Sequence, residues 1–96
     1  MNYKNYIIYK HDSGLELPIY TGLDLTGASV TVIRVLKPNG ITETWPATID
    51  SVNSKILNCI TGVFDFAGMY YLNAYVELGA LKKQGSPIAL EVFDTE

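Results

Sequence analysis

The stretch Asp65-Phe66-Ala67-Gly68-Met69-Tyr70-Tyr71-Leu72-Asn73-Ala74-Tyr75-Val76-Glu77-Leu78 decides the fold. Asp65 and Gly68 mark a turn, and the run that follows alternates with a period of two, the signature of a half-buried strand. Alternation sends Tyr70, Leu72, Ala74, Val76 and Leu78 to one face, and Met69, Tyr71, Asn73, Tyr75 and Glu77 to the other. The first set reads as core. Its leading member is a tyrosine, which at such a corner can bury its ring while its hydroxyl satisfies backbone groups of the preceding loop.

Working outward, the same period recurs and turn residues return about every ten positions, with almost no helical pattern. Tyr6 to Tyr9 and Leu15 to Thr21 read as opening strands around the turn Asp12-Ser13-Gly14, with Pro18 restricting the second to an edge or a bulge. Ala28 to Lys37 is rich in β-branched residues and apolar on both faces, Val30 and Val32 alternating with Ile33 and Val35. Such a strand is central, one face being covered by the N-terminal segment or by a partner subunit. Pro38-Asn39-Gly40 predicts a hairpin, since proline presets φ and Asn-Gly tolerates positive φ. Its return strand, Ile41 to Ile49, contains Pro46, which predicts an edge or a bulge. Lys55 to Thr61, Gly68 to Leu78 and Gln84 to Phe93 complete the set, with Gly79-Ala80 as a tight turn and Lys82-Lys83 at a solvated hairpin tip. In the last strand Ile88, Leu90 and Val92 face inward. The expected fold is an all-β, immunoglobulin-like antiparallel sandwich of seven to eight strands, forming one domain over residues 1–96.

Ninety-six residues can remove roughly two-thirds of their unfolded surface from water, enough for one core. The single Cys59 excludes an intramolecular disulfide and reads as a small buried apolar residue. A formal charge of −3 argues against a phosphate-binding surface, so no nucleic-acid partner is expected. No run meets the apolar length of a signal peptide or of a bilayer crossing, so the chain is expected to be made in the host cytoplasm without membrane insertion.

Catalytic chemistry finds little support. A base beside a nucleophile is the minimum for hydrolysis, and His11, the only histidine, lies in a polar turn. Asp12, Asp24, Asp50 and Asp65 occupy turns where carboxylates accept local backbone hydrogen bonds. No D-x-D run offers calcium ligands, and the scattered turn glycines precede no helix that would hold a phosphate. No catalytic, metal or cofactor site is assigned, and no enzyme is expected.

The outward set is the candidate interaction face: Met69, Tyr71, Asn73 and Tyr75. Rigid tyrosine rings serve protein interfaces and sugar stacking alike, and a solvated tyrosine is also simply a good strand residue. Both the functional and the bland reading stand at this point. Trp45 is read as core, packing across the sandwich toward the tyrosine corner, with a place beside the tyrosine ladder as the alternative.

The segments Leu25-Thr26-Gly27-Ala28-Ser29-Val30, Lys37-Pro38-Asn39-Gly40, Trp45-Pro46-Ala47, Phe66-Ala67-Gly68-Met69-Tyr70 and Gly85-Ser86-Pro87-Ile88 together resemble a group of small immunoglobulin-like proteins and domains of tailed bacteriophages and prophages. The N-terminal domain of phage baseplate upper proteins is similar. The resemblance implies a non-enzymatic structural or adhesion module of a virion, in a baseplate, tail, fibre or head. It carries over Pro38, Gly40, Trp45, Gly68 and Tyr70 as fold-determining positions only. Other virion proteins or a second copy are the expected partners, met at the Tyr71/Tyr75 face or by strand addition at an edge, with Tyr6 to Tyr9 as a strand to be lent. Host-surface glycans are the alternative ligand.

Overall fold

A computed structural model describes residues 7–94, so Tyr6 of the expected first strand lies outside the described residues. Eight strands follow: β1 (Ile8–Tyr9), β2 (Glu16–Tyr20), β3 (Val30–Leu36), β4 (Thr42–Ile49), β5 (Ile56–Ile60), β6 (Gly68–Leu78), β7 (Leu81–Gln84) and β8 (Ile88–Phe93). They pair in the order β1-β8-β6-β3-β4-β5-β2, with β7 also on β6. One continuous run of pairings therefore curls over itself. The first layer holds β1, β8 with β7, β6, β3 and the start of β4; the second holds the end of β4, β5 and β2.

The turn at β4 is made by a proline. Thr42–Pro46 pair with β3, whereas Ala47–Ile49 pair with β5. Pro46 was expected at an edge or a bulge, and instead it ends the β3 ladder within an unbroken strand. A residue without an N–H is tolerated where a strand changes neighbours, because the ladder is interrupted there anyway. Pro18 lies on β2, at the end of the strand order, as its residue type predicts.

Three further expectations change. Gln84 to Phe93 is not one strand: Gly85-Ser86-Pro87 breaks it, and the broken backbone is tied to β6 by Gly85 N–H donating to Ala74 O at 2.8 Å and by Asn73 Nδ2 donating to Gly85 O at 3.0 Å. Lys82 and Lys83 stand within β7, exposed, while Gly79 and Ala80 form the hairpin tip. The sheet is also mixed, since β1 runs parallel to β8 with Ile8 opposite Val92.

The core matches the alternation. Tyr70, Leu72, Ala74 and Val76 of β6 are buried with Ile33 and Val35 of β3, Leu17 and Ile19 of β2, Leu57 and Cys59 of β5, and Leu90 and Val92 of β8. β3 is central, paired on both sides. Burial of these side chains contributes ~1.5–3 kcal/mol for each large aliphatic residue, which is what holds the two layers together without a disulfide.

The tyrosine corner is built from the positions carried over as fold-determining. Tyr70 is fully buried; its hydroxyl accepts from Phe66 N–H at 3.1 Å and donates to Asp65 Oδ1 at 3.1 Å. Gly68, at φ +127°, lets β6 start against the β3–β4 hairpin: a Cβ there would lie 3.1 Å from Pro38 Cβ and Cγ. Gly40, at φ +86°, closes that hairpin, donating its N–H to Lys37 O at 2.9 Å. Trp45 is core, as expected. It reaches the corner through Phe64: Trp45 and Phe64 meet edge to face at 5.3 Å, and Phe64 and Tyr70 at 5.0 Å.

Candidate interaction face

Because β6 alternates, its outward residues form the middle column of the first layer's outer surface. The register supplies their neighbours. Met69 lies opposite Glu91, Tyr71 lies between Leu36 and Ala89, Asn73 lies opposite Arg34, and Tyr75 lies between Val32 and Gln84. All four candidate residues thus share one face, and the structure divides their roles.

Tyr71 and Met69 are the open pair, 42% and 38% exposed. Tyr75 is half-buried and already engaged: its hydroxyl donates to Glu77 Oε2 at 2.7 Å, which pushes its pKa above the usual value, and the Arg34 guanidinium covers its ring at 4.1 Å from the centroid. Tyr75 is therefore a platform for Arg34 rather than a free contact ring. Asn73 spends its amide N–H on Gly85 and keeps its carbonyl oxygen as an acceptor.

A groove of about 570 Å³ runs along this face, lined by Arg34, Leu36, Thr44, Tyr71, Asn73 and Gln84 among others. Among the described residues, ion pairs form only at Lys37, with Glu43 at 2.8 Å and Asp65 at 3.1 Å, so no carboxylate lies within ion-pair distance of Arg34. The groove thus presents a stacked, planar cation among amide and hydroxyl groups, with Tyr71 and Leu36 as an apolar wall and with Glu43, held by Lys37, also in its lining. That arrangement suits a carboxylate carried next to an apolar group.

Beyond the groove the face stays apolar. Leu36, Met69, Phe93 and Tyr9 are all exposed, and the Tyr9 and Phe93 rings lie 6.4 Å apart. Sequence reasoning finds the β6 column and, by the same alternation, the outward Glu91 and Phe93 of the last strand, without joining the two into one face; it misses Arg34, Leu36, Gln84 and Tyr9. Alternation along β3 marks Arg34 and Leu36 as facing away from Ile33 and Val35. Their alignment with β6 joins segments far apart in the chain, and no local pattern encodes it.

A second recess, about 380 Å³, opens where β2 faces the β7–β8 break, between Ile19, Tyr20, Ile56, Ala74, Pro87 and Ile88. Groups suited to catalysis do not gather at either recess. His11 is exposed in the turn after β1, at φ 79°, with its N–H donated to Phe64 O. Cys59 is fully buried, and burial pushes its thiol up to about 12. Among the described residues no group of three or more potential ligands is placed to hold a metal ion. Asp12 accepts from Tyr9 N–H, Asp24 from Thr26 N–H, and Asp50 from Val52 and Asn53 N–H, each in its own turn. Asp65 serves the tyrosine corner and Lys37 instead. Compared with known proteins, the chain matches no family model, no curated protein and no solved structure.

Proposed function

We propose that this chain is a non-enzymatic structural or adhesion module of a phage or prophage virion that docks onto protein through the outer face of β8, β6 and β3. One observation carries the docking part: Tyr9, Phe93, Met69, Tyr71 and Leu36 are all exposed on that face, and Tyr71 and Leu36 line a groove whose Arg34 forms no ion pair among the described residues. Exposed apolar residues clustered in this way mark interaction surfaces, whereas single exposed apolar residues do not. The virion part rests on the ordered set of motifs from Leu25 to Ile88 and their likeness to phage immunoglobulin-like modules. A strand order that pairs β2 with β5 and β3 with β6, and passes β4 from one layer to the other, supports the immunoglobulin-like reading.

Carbohydrate binding for host adhesion is the second reading. It is favoured by the Tyr71 ring bordering a groove that also holds the Asn73 and Gln84 amides, the combination that stacks on and hydrogen-bonds a sugar. Mass spectrometry of gradient-purified particles from a producing host tests the leading proposal. The chain should co-purify with virions, and Tyr71→Asp should reduce its incorporation while the isolated protein stays folded. A chain found only in the soluble fraction would overturn the virion role. Glycan-array binding lost in Tyr71→Ala would select the sugar reading.

A further inference from the structure

The register makes the outer face self-complementary about Tyr71. Arg34 lies one strand to the β3 side and two residues toward the C-terminal end of β6; Glu91 lies one strand to the β8 side and two residues the other way. With strands ~4.8 Å apart and ~3.4 Å per residue, each is displaced from Tyr71 by roughly 8 Å in opposite directions. A second pair is mirrored across the line that bisects this diagonal. Leu36 stands beside Tyr71 on β3 and Met69 stands two residues before it on β6, so reflection across that line brings each to within about 3 Å of the other's place.

From this juxtaposition we propose that two copies of the chain associate face to face about a twofold axis that passes over Tyr71 at right angles to the Arg34–Glu91 diagonal. This deepens the docking reading and rests on it. The axis sends Arg34 of each copy to Glu91 of the other, twice per dimer. Leu36 meets Met69, and Tyr71 meets its own counterpart on the axis. Met69 of one copy lands beside Leu36 and Arg34 of the other, which places it, with Glu91, at the groove described above. Charge matches at the Arg34–Glu91 pairs and apolar character at the Leu36–Met69 pairs, as an isologous interface requires.

No other described carboxylate is placed to serve Arg34. Glu43 is held by Lys37 and Trp45, and Glu77 accepts from Tyr75. Stacking on Tyr75 also fixes the guanidinium in advance, which lowers the ordering cost of a contact. The two longer dimensions of the molecule, 45 and 26 Å, leave room for a patch on the scale of the ~800 Å² per partner that a standard interface buries.

Sedimentation equilibrium of the full chain across a concentration series tests the proposal. The wild type should be a dimer. Arg34→Glu and Glu91→Arg should each weaken it at least ~30-fold, because either change sets like charges against each other at two places, and the double charge swap should recover to within about fivefold of wild type. Circular dichroism controls for folding. Ala89→Arg, which sets a long side chain beside Tyr71 at the axis, should also give monomers.

A wild type that stays monomeric up to about 500 µM, a range that captures even weak dimers, would overturn the proposal. So would a folded double swap that fails to recover. A monomer that binds acidic glycans through Arg34 would overturn it in favour of a sugar ligand. The docking reading fails separately: a monomer whose virion incorporation still depends on Tyr71 removes the dimer and leaves docking in place.

Discussion

The hydroxyl of Tyr70 donates to Asp65 Oδ1 at 3.1 Å, across the turn that starts β6, and the same carboxylate is held at 3.1 Å by Lys37 Nζ from the β3–β4 hairpin. One side chain thus joins the buried ring of the tyrosine corner to a hairpin that precedes it by almost thirty residues. Lys37 also reaches Glu43 at 2.8 Å, and Glu43 accepts from Trp45 Nε1. The polar cap of the core is a connected chain from Tyr70 to Trp45, closed underneath by Phe64.

Removing the Tyr70 hydroxyl leaves the Phe66 N–H without its partner and Asp65 with one donor fewer. Tyr70→Phe should lower stability by ~1–2 kcal/mol in urea unfolding with an unchanged m-value, since the ring still fills the core. A loss below a few tenths of a kcal/mol would mean that water replaces the hydroxyl without cost.

Gly62 is required for its lack of a side chain. A Cβ built there would lie 2.7 Å from Trp45 Nε1 and 3.3 Å from Cδ1, and the indole is packed against Phe64. Gly62→Ala should therefore displace the tryptophan and cost ~1–3 kcal/mol, as overpacking does. A shift in Trp45 fluorescence checks this directly, because the chain contains one tryptophan.

The carboxylates predict acid sensitivity. Hydrogen bonds from Thr26 and Ser54 hold Asp24 at about 2 against an ordinary 3.8, and Asn58 with the Asn53 and Val52 N–H groups holds Asp50 low. Burial acts to raise Asp65, but Lys37 and Tyr70 outweigh it and its pKa also falls. A depressed carboxylate stabilises the fold above its unfolded pKa, and the contribution disappears as pH falls through the folded value. Stability should thus be level from pH 7 to about 5 and fall between about 4 and 2. Asp24→Asn should flatten part of that fall. An unchanged slope in the variant would show that Asp24 does not titrate in the folded state at the value given.

Cys59 offers a clean report of opening. Full burial and a pKa pushed up to about 12 leave almost no accessible thiolate at pH 8. A thiol reagent should leave the native chain unlabelled for hours and label it stoichiometrically in denaturant. Rapid native labelling would place β5 among the locally opening parts of the fold.

Local chemistry explains which parts were readable. The bounds of β6 follow from Gly68 and Gly79 with ten alternating residues between them, and the hairpin at Pro38-Asn39-Gly40 follows from the turn preferences of those residue types. Phe64 escaped notice because a lone aromatic in a connecting loop has no periodicity, although it sits at the centre of the aromatic cluster. Gly85-Ser86-Pro87 breaks the expected strand because its glycine and proline interrupt the ladder, and the apolar alternation of Ile88, Leu90 and Val92 begins only after them. On the candidate face, Met69, Tyr71, Asn73 and Tyr75 were legible from period two. Arg34 over Tyr75 depends on the β3–β6 register, which is set by how the two layers close and not by either segment alone.

Ile8 decides how firmly the N-terminal segment belongs to this core. The strand β1 is only two residues long, yet Ile8 is 1% exposed and sits opposite Val92, while Lys10 N–H donates to Phe93 O at 2.8 Å and His11 N–H to Phe64 O at 2.7 Å. These contacts describe a segment packed on its own chain, in contrast to a strand held ready for a partner. Ile8→Ala should then cost ~2–4 kcal/mol, the range for emptying a buried isoleucine site. A cost under ~1 kcal/mol, measured by the same urea titration, would show that β1 detaches easily and would return strand exchange to consideration. Because Val92 and Leu90 line the same layer, a large cost should also appear as faster amide exchange along β8, with β5 unaffected.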